Sequence, residues 1–384
     1  MIVAVPADRR CIVVGAGILG LSAAWALGRR GWDVVVLEAA GSAGHGRSGS
    51  RGDARIFRLG YPDPLYVEMA LRARSLWQDL ERAGGSRLLH ATGQVTLGDD
   101  AALDAIAAAL KASGAPAERL SATEAAARFG GIAARSPVLF EPASGVLAAD
   151  ECLRTLCETG RFDLQVGAAA CAVRERPGGA AVTTAAGREH AADVALVCAG
   201  PRSLALLGET PAVAAAPSLP QVAYFGPAAG AGSRAPLPVF IEWGDDMVYG
   251  LPVPGGGPHA GTYKVSHHTP GTAVDEFDPT DPEPFADDPG LLGLLTGAVT
   301  RLLPALDPVP VATERCVYDN SADTDFVLDR VGHVVVGCGT SGHGFKFGPL
   351  LGELLAALAD GTDPPVDLGR FSLLRDAGGG APSR

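Results

Sequence analysis

The stretch CIVVGAGILGLSAAWALGRRGWDVVVLE, residues 11–38, limits what this chain can fold into more than any other part of it. An apolar run, Cys11 to Val14, enters Gly15-Ala16-Gly17-Ile18-Leu19-Gly20; a segment with helical spacing follows, and a second apolar run, Val34 to Leu37, ends at Glu38. The pattern predicts strand, tight turn, helix, strand. Gly15 permits the turn, Gly17 lets the backbone approach a pyrophosphate, and Gly20 lets the helix pack close to the strand. The helix N-terminus offers unpaired N–H groups to phosphate oxygens. Glu38 is placed to accept ribose hydroxyls, and a carboxylate there disfavours a 2′-phosphate, so FAD or NAD is expected rather than NADP. GxGxxG alone is a weak signal; strand before, helix after and acid at the right distance make it a dinucleotide site rather than a glycine-rich turn.

A secretory or membrane segment is the rival reading of the same residues, because Arg9 and Arg10 precede the apolar run. The glycines, the charges at Arg29, Arg30 and Asp33 and the return to a strand argue against it, since a spanning helix needs about 20 mostly uninterrupted apolar residues. The chain is therefore expected to be cytoplasmic. Its 384 residues exceed one ordinary core, so two interleaved domains are expected. A net charge of −12 leaves no basic footprint for nucleic acid or an anionic membrane and points to a small-molecule partner. Seven cysteines, scattered without CxxC or His-rich spacing, predict reduced thiols and no metal site.

After Glu38 comes a glycine-rich loop with Arg47, Arg51, Arg55 and Arg58, expected near the phosphates or the redox ring. Residues 65–84 read as a helix ending at Gly84-Gly85, with Met69, Trp77 and Leu80 in the core. Strands are expected over 88–98, helices over 100–113 and 121–129, and a return to the cofactor side from Gly145-Val146-Leu147 into a helix with Cys152 and Cys157. His90 reads as structural. Strands over 164–174, which include Val173, and over 180–185 precede Val194 to Cys198, whose Ala199-Gly200 ending fits another parallel strand. From Val222 short alternating strands imply an antiparallel sheet. The acidic, Pro-rich residues 269–290 read as solvated loop, and 376–384 as a disordered tail.

Two further stretches carry chemistry. The run HVVVGCG enters the turn Thr340-Ser341-Gly342-His343-Gly344, with Phe345 and Lys346 before a helix from Pro349. Such a turn presents backbone N–H groups and a helix dipole, which suit the anionic edge of a reduced flavin. At a period of two, Thr262, Lys264, Ser266 and His268 share one strand face. If that face looks at a flavin, Lys264 can stabilise the charge formed as oxygen is reduced; a solvent-facing lysine is the alternative.

In these residues the chain resembles monomeric sarcosine oxidase and N-methyltryptophan oxidase, amine oxidases of the D-amino-acid oxidase superfamily. The likeness rests on Gly52-Asp53-Ala54-Arg55-Ile56-Phe57-Arg58, Tyr66, Leu76-Trp77, Lys264 with His268, Glu314-Arg315-Cys316-Val317-Tyr318, and Ser341-Gly342-His343-Gly344-Phe345-Lys346-Phe347. It implies FAD bonded covalently to Cys316, a substrate carboxylate held by Arg58 and Lys346, Arg55 beside the flavin ring, and Lys264 as the oxygen-activating lysine. It also implies His268 in the active site and Tyr249 in the substrate pocket. Gly15, Gly17, Ile18, Gly20, Glu38, Arg51, Val173, Gly200, Cys316, Gly342, His343, Gly344, Phe345 and Lys346 are the expected cofactor contacts. Arg51 stands where the family usually has His, and the insert GGGPH after Pro254 is expected beside the substrate wall.

The expected fold is α/β with an α+β second domain: a Rossmann-like FAD-binding part (1–86, 145–218, 310–375) and a substrate part on a mainly antiparallel sheet (87–144, 219–309). The expected reaction takes hydride from the carbon beside a secondary or cyclic amino group of an amino acid, with O2 reduced to hydrogen peroxide. A flavin-dependent dehydrogenase, a tailoring oxidase acting on a biosynthetic intermediate and a flavin-binding protein without turnover are the alternatives. A monomer is expected, with a dimer as the second choice.

Overall fold

The computed structural model describes residues 9–45, 47–208, 213–214, 216–229, 237–244, 247–268, 271–274, 278–281 and 283–375; the expected disordered tail lies outside them. Its first sheet has six strands in the order Val327–Val331, Val334–Cys338, Val194–Val197, Arg10–Val14, Asp33–Leu37, Asp163–Gln165. Every pairing is parallel except the hairpin 327–338. Parallel strands are covered on both faces, which explains their unbroken apolar runs. Cys11, Val13, Val34, Val36 and Leu196 pack with the helices, whereas Ile12, Val14, Val35, Leu37 and Val197 pack against a three-stranded antiparallel sheet over 170–192. The helices on the first face are Ile18–Arg29, Pro64–Gly84 and Gly348–Asp360. The first and last come so close that a Cβ on Gly352 would stand 2.4 Å from the Ser22 carbonyl carbon.

The second large sheet has eight strands in the order Leu306–Arg315, Gln221–Pro227, Tyr263–His267, Val248–Pro252, Val239–Glu242, Gln94–Leu97, Val138–Glu141, Glu118–Leu120. Its one parallel pair joins 239–242 to 94–97. The helix Pro289–Leu302 closes its back through Leu295, Val299 and Leu302, packed with Ala223, Phe225, Tyr263 and Val265. Tyr263 and Val265 thus face this core, which turns Lys264 and His268 to the opposite face, as the alternation predicts. The strand 306–315 pairs with 221–227, so the division expected at residue 310 falls inside a strand of the second sheet.

Two elements depart from the sequence reading. The expected strand over 164–174 is two strands, because Gly167 at φ +68 turns the chain from the parallel sheet into the three-stranded one. The acidic stretch is more than solvated loop: Arg47 donates to the carbonyl oxygens of Asp278 (3.2 Å) and Glu283 (2.8 Å) and pairs with Asp281 at 2.6 Å.

Candidate active site

One long cavity runs from the glycine turn of the parallel sheet to the open face of the eight-stranded sheet. At its first end Gly15, at φ +99, approaches so closely that a Cβ there would lie 2.4 Å from the Cys198 carbonyl oxygen. Only glycine fits both the dihedral and the gap. The helix from Ile18 has neither a side-chain cap at Gly17 nor an acid in its first turn, so its positive end opens into the cavity. Ser50, which the sequence reading passed over, accepts from Ile18 N–H at 2.9 Å and brings the arginine loop against that terminus. Glu38 is buried, accepting from the N–H groups of Ala16 (2.8 Å) and Ala40 (2.9 Å), and it lines the cavity wall. Gly20 lies outside the lining and does what was expected of it: a Cβ would sit 1.9 Å from the Gly15 carbonyl oxygen.

The turn 340–344 borders the middle of the cavity. Ser341 holds φ +47, a strained value for a residue with a side chain, and the strain is offset by its N–H donating to the Asp319 carbonyl (2.7 Å) and its hydroxyl accepting from Ser321 N–H (3.1 Å). Gly342 at φ +75 leaves room for the ring of Tyr318, which a Cβ would strike at 2.2 Å. The His343 ring is anchored to the Thr324 carbonyl (3.1 Å) and stacked on Phe326 at 4.7 Å, so that side chain holds the turn. Burial, then Lys346 and His268, push its pKa well down, which keeps the imidazole neutral. Cys316 and Tyr318 line the same region, as do Gly200 and Phe345. Asp319, also unforeseen, has its carboxyl pushed up to about 7 by burial, with the Gly339 and Thr340 N–H groups opposing the rise.

At the inner end four basic side chains converge. Arg58 is 4% exposed, with its guanidinium 4.2 Å from the centre of the Tyr61 ring and 5.4 Å from that of Trp243. Lys346 is buried, donates to the His343 carbonyl at 2.8 Å, and has its pKa driven well down by burial and then by Arg58. Leu59 and Gly60, next to Arg58, donate to Glu141, a fully buried carboxyl that also takes Gln94 and Ser144, and this fixes the arginine segment. Arg55 lies across Phe345 at 5.6 Å and donates to the carbonyls of Ala54, Gly49 and Arg51. Lys264, 5% exposed, donates to the Ala54 carbonyl at 3.4 Å; burial, then Arg55, lower its pKa to about 8. The Tyr249 hydroxyl meets that of Tyr318 at 3.4 Å, and His268 sits edge-on to both rings.

Three expected contacts stand elsewhere. Val173 is inside the apolar cluster between the sheets, and the cavity reaches that strand at Ala170, where the register shifts. Arg51 is outside the lining, and its guanidinium pairs with Glu314 at 3.5 Å. The insert 255–259 does not line the substrate wall; it docks on Asp53. Tyr318 lay in the quoted Glu314–Tyr318 string without a role, although at two residues from Cys316 it shares that residue's face of an extended chain.

The glycine cradle, the uncapped helix start and the extended cavity fit a bound FAD. The chain belongs to the FAD dependent oxidoreductase family, whose profile matches residues 10–358. Membership settles FAD over NAD and makes the protein a flavin-dependent oxidoreductase. Peroxisomal sarcosine oxidase of Mus musculus is 31% identical over 380 residues, 95% of each chain. The N-methyl-L-tryptophan oxidase of Salmonella heidelberg is 30% identical over 392 residues, covering 95% of this chain and 98% of that one. Among solved structures, NikD, described as an unusual amino acid oxidase essential for nikkomycin biosynthesis, matches with a TM-score of 0.77 at 26% identity, over 95% of this chain and 98% of that one. No described helix is long and apolar enough to cross a membrane, and the described residues hold no cluster that would bind a metal ion.

Proposed function

We propose that this protein oxidises the C–N bond of a secondary or cyclic amino acid, an N-methyl or imino acid, to the imine, with O2 reduced to hydrogen peroxide. The observation that carries the reading is the pair Arg58 and Lys346. Two buried cations lie close enough for one to depress the other's pKa, and among the described residues neither has a carboxylate within ion-pair distance. A substrate carboxylate would supply the missing anion, with the forked guanidinium and the point-charge ammonium on either side. The oxidase relatives support the amine half of the substrate.

FAD, when bound, supplies a two-electron acceptor for the substrate hydride and passes the electrons to O2. Gly15, Gly17, Ile18 and Glu38 would hold its nucleotide half, with Gly200, Phe345 and the 342–344 turn along the remainder and Cys316 as the covalent anchor. Arg58 and Lys346 fix the carboxylate and so orient the carbon beside the nitrogen. The nearby positive charges of Arg58, Arg55 and Lys264 disfavour a protonated substrate amine, and the neutral form is the one that releases hydride. Tyr249, Tyr318 and His268 wall the amine side. Lys264 holds a positive charge where oxygen is reduced. Residues 1–86, 145–218 and 316–375 form the cofactor part in this reading, and 87–144 with 219–315 the substrate part.

The test is peroxide release and anaerobic bleaching of the flavin across sarcosine, N-methyl aromatic amino acids and cyclic imino acids. Bleaching by at least one of them, followed by peroxide when air is admitted, is expected. Bleaching without peroxide would make the protein a dehydrogenase, and no bleaching by any of them would remove the reading.

A further inference from the structure

Among the described residues Lys264 has no contacting counter-ion, and its ammonium donates to the Ala54 carbonyl at 3.4 Å. The charged and titratable groups that face it come from several elements. Asp53 and Arg55 come from the arginine segment, Glu314 from the end of the strand 306–315 and Cys316 from just beyond it, and Tyr224 from the strand paired with its own, directly opposite in register. Each of the two acids is held by one of two stacked rings. The Tyr224 hydroxyl donates to Glu314 Oε2 at 2.8 Å, and Arg51 pairs with the other oxygen. Asp53 Oδ2 accepts from both the backbone N–H (3.0 Å) and ring Nδ1 (2.9 Å) of His259. The two rings lie face to face, 3.9 Å apart and 15° from parallel.

The loop that carries His259 is shaped around that carboxylate. A Cβ on Gly257 would fall 2.4 Å from Asp53 Oδ1, so only glycine lets the loop come so near. Asp53 is buried, whereas the His259 side chain keeps 18% of its surface in solvent. The two residues stand 206 positions apart in the sequence.

We infer that His259 is a positioning residue for Lys264: through its bonds to Asp53 and its cover on Tyr224 it fixes the two carboxylates whose field opposes burial and Arg55 in holding the positive charge of that lysine. Without the ring, Asp53 is freed to turn towards the cation and water gains access to Tyr224. Both changes favour the ammonium form. The consequence for oxygen reduction rests on the function proposed above; the placement of Lys264's titration does not.

The experiment follows the Lys264 side-chain nitrogen by NMR through a pH titration of the flavin-free chain, in wild type, His259→Ala and His259→Asn. Asn presents an amide donor close to the place of Nδ1. Expected is a midpoint near 8 in wild type, a rise of about one unit in the Ala variant, and less than about half that rise with Asn. In flavin-loaded protein the pH profile of reoxidation by O2 moves with the midpoint, while anaerobic reduction by substrate changes less than about twofold. His259→Phe, which keeps the stack and loses the donor, replaces the Ala variant if that one does not fold. A Lys264 titration superposable on wild type in Ala or Phe overturns the inference, as does an Asn shift equal to that of Ala. Failure of every amine to bleach the flavin removes the proposed function and leaves the NMR result standing.

Discussion

Replacing Lys264 with Met should make the protein more stable at neutral pH while disabling its reaction with oxygen. Burial, then Arg55, hold this lysine at about 8 against an ordinary 10.5. That separation corresponds to about 3 kcal/mol at about 1.4 kcal/mol per unit. Below pH 8 folded and unfolded chains both carry the proton, and the native state bears the whole cost of a buried charge. Between 8 and 10.5 the unfolded chain binds one proton more, so wild-type stability rises with pH; above 10.5 neither state is charged and the cost is gone. Met keeps a linear side chain of similar length, so packing changes should cost less than about 1.5 kcal/mol. The variant is thus expected to be more stable than wild type by about 2 kcal/mol at pH 7, with the advantage shrinking towards pH 10.5. Urea unfolding of the flavin-free chains across that range measures it, because titrations common to both cancel in the difference. With flavin and substrate, the oxygen step should fall by about 10²–10³ and flavin reduction far less. A variant less stable at neutral pH, or an advantage that does not change with pH, refutes the electrostatic account of Lys264.

Other outcomes follow from the same geometry. Gly15→Ala, forced into φ +99 and against the Cys198 carbonyl, should cost about 2 kcal/mol or more and leave purified protein without flavin colour, read by absorbance. Cys316→Ser should release all flavin into the supernatant on acid precipitation, whereas wild type keeps a yellow pellet; a colourless wild-type pellet removes the covalent anchor. Across pH, anaerobic flavin reduction should rise as the bound amine loses its proton. Reoxidation should instead decline through about pH 8 as Lys264 loses its charge, and stopped-flow absorbance separates the two limbs.

The parts of the molecule that are local in sequence were legible there. Gly15, Gly17 and Gly20 carry their roles in their spacing, because a tight turn and a close packing each demand an absent side chain. Lys264 and His268 declare a shared face because a strand alternates with a period of two, and the structure turns both into the cavity with Tyr263 and Val265 behind them. Roles that depend on distant partners were hidden. Nothing near His259 announces Asp53, and the insert read as substrate wall because its neighbours in sequence are substrate-side strands. Arg47 reads as one basic residue in a loop until the acidic segment folds over it. Val173 has the pattern of a strand facing the cofactor, but the turn at Gly167 carries the chain to another sheet and only Ala170 reaches the cavity. Arg51 follows the same rule: its position in the arginine loop places it near the flavin, and its pairing with Glu314 takes it out of the lining.

The central claim is that Arg58 and Lys346 bind the carboxylate of an amino acid whose C–N bond is then oxidised. The most direct test is anaerobic stopped-flow bleaching of the flavin by an N-methyl or cyclic amino acid that the panel identifies, compared with the methyl ester of the same compound. The amino acid should bleach the flavin with saturable kinetics, and the ester, which keeps the amine and the reacting carbon but carries no anion, should bleach it at least about 10²-fold less efficiently. Equal bleaching by both would contradict the account, because the two buried cations would then have no part in holding the substrate.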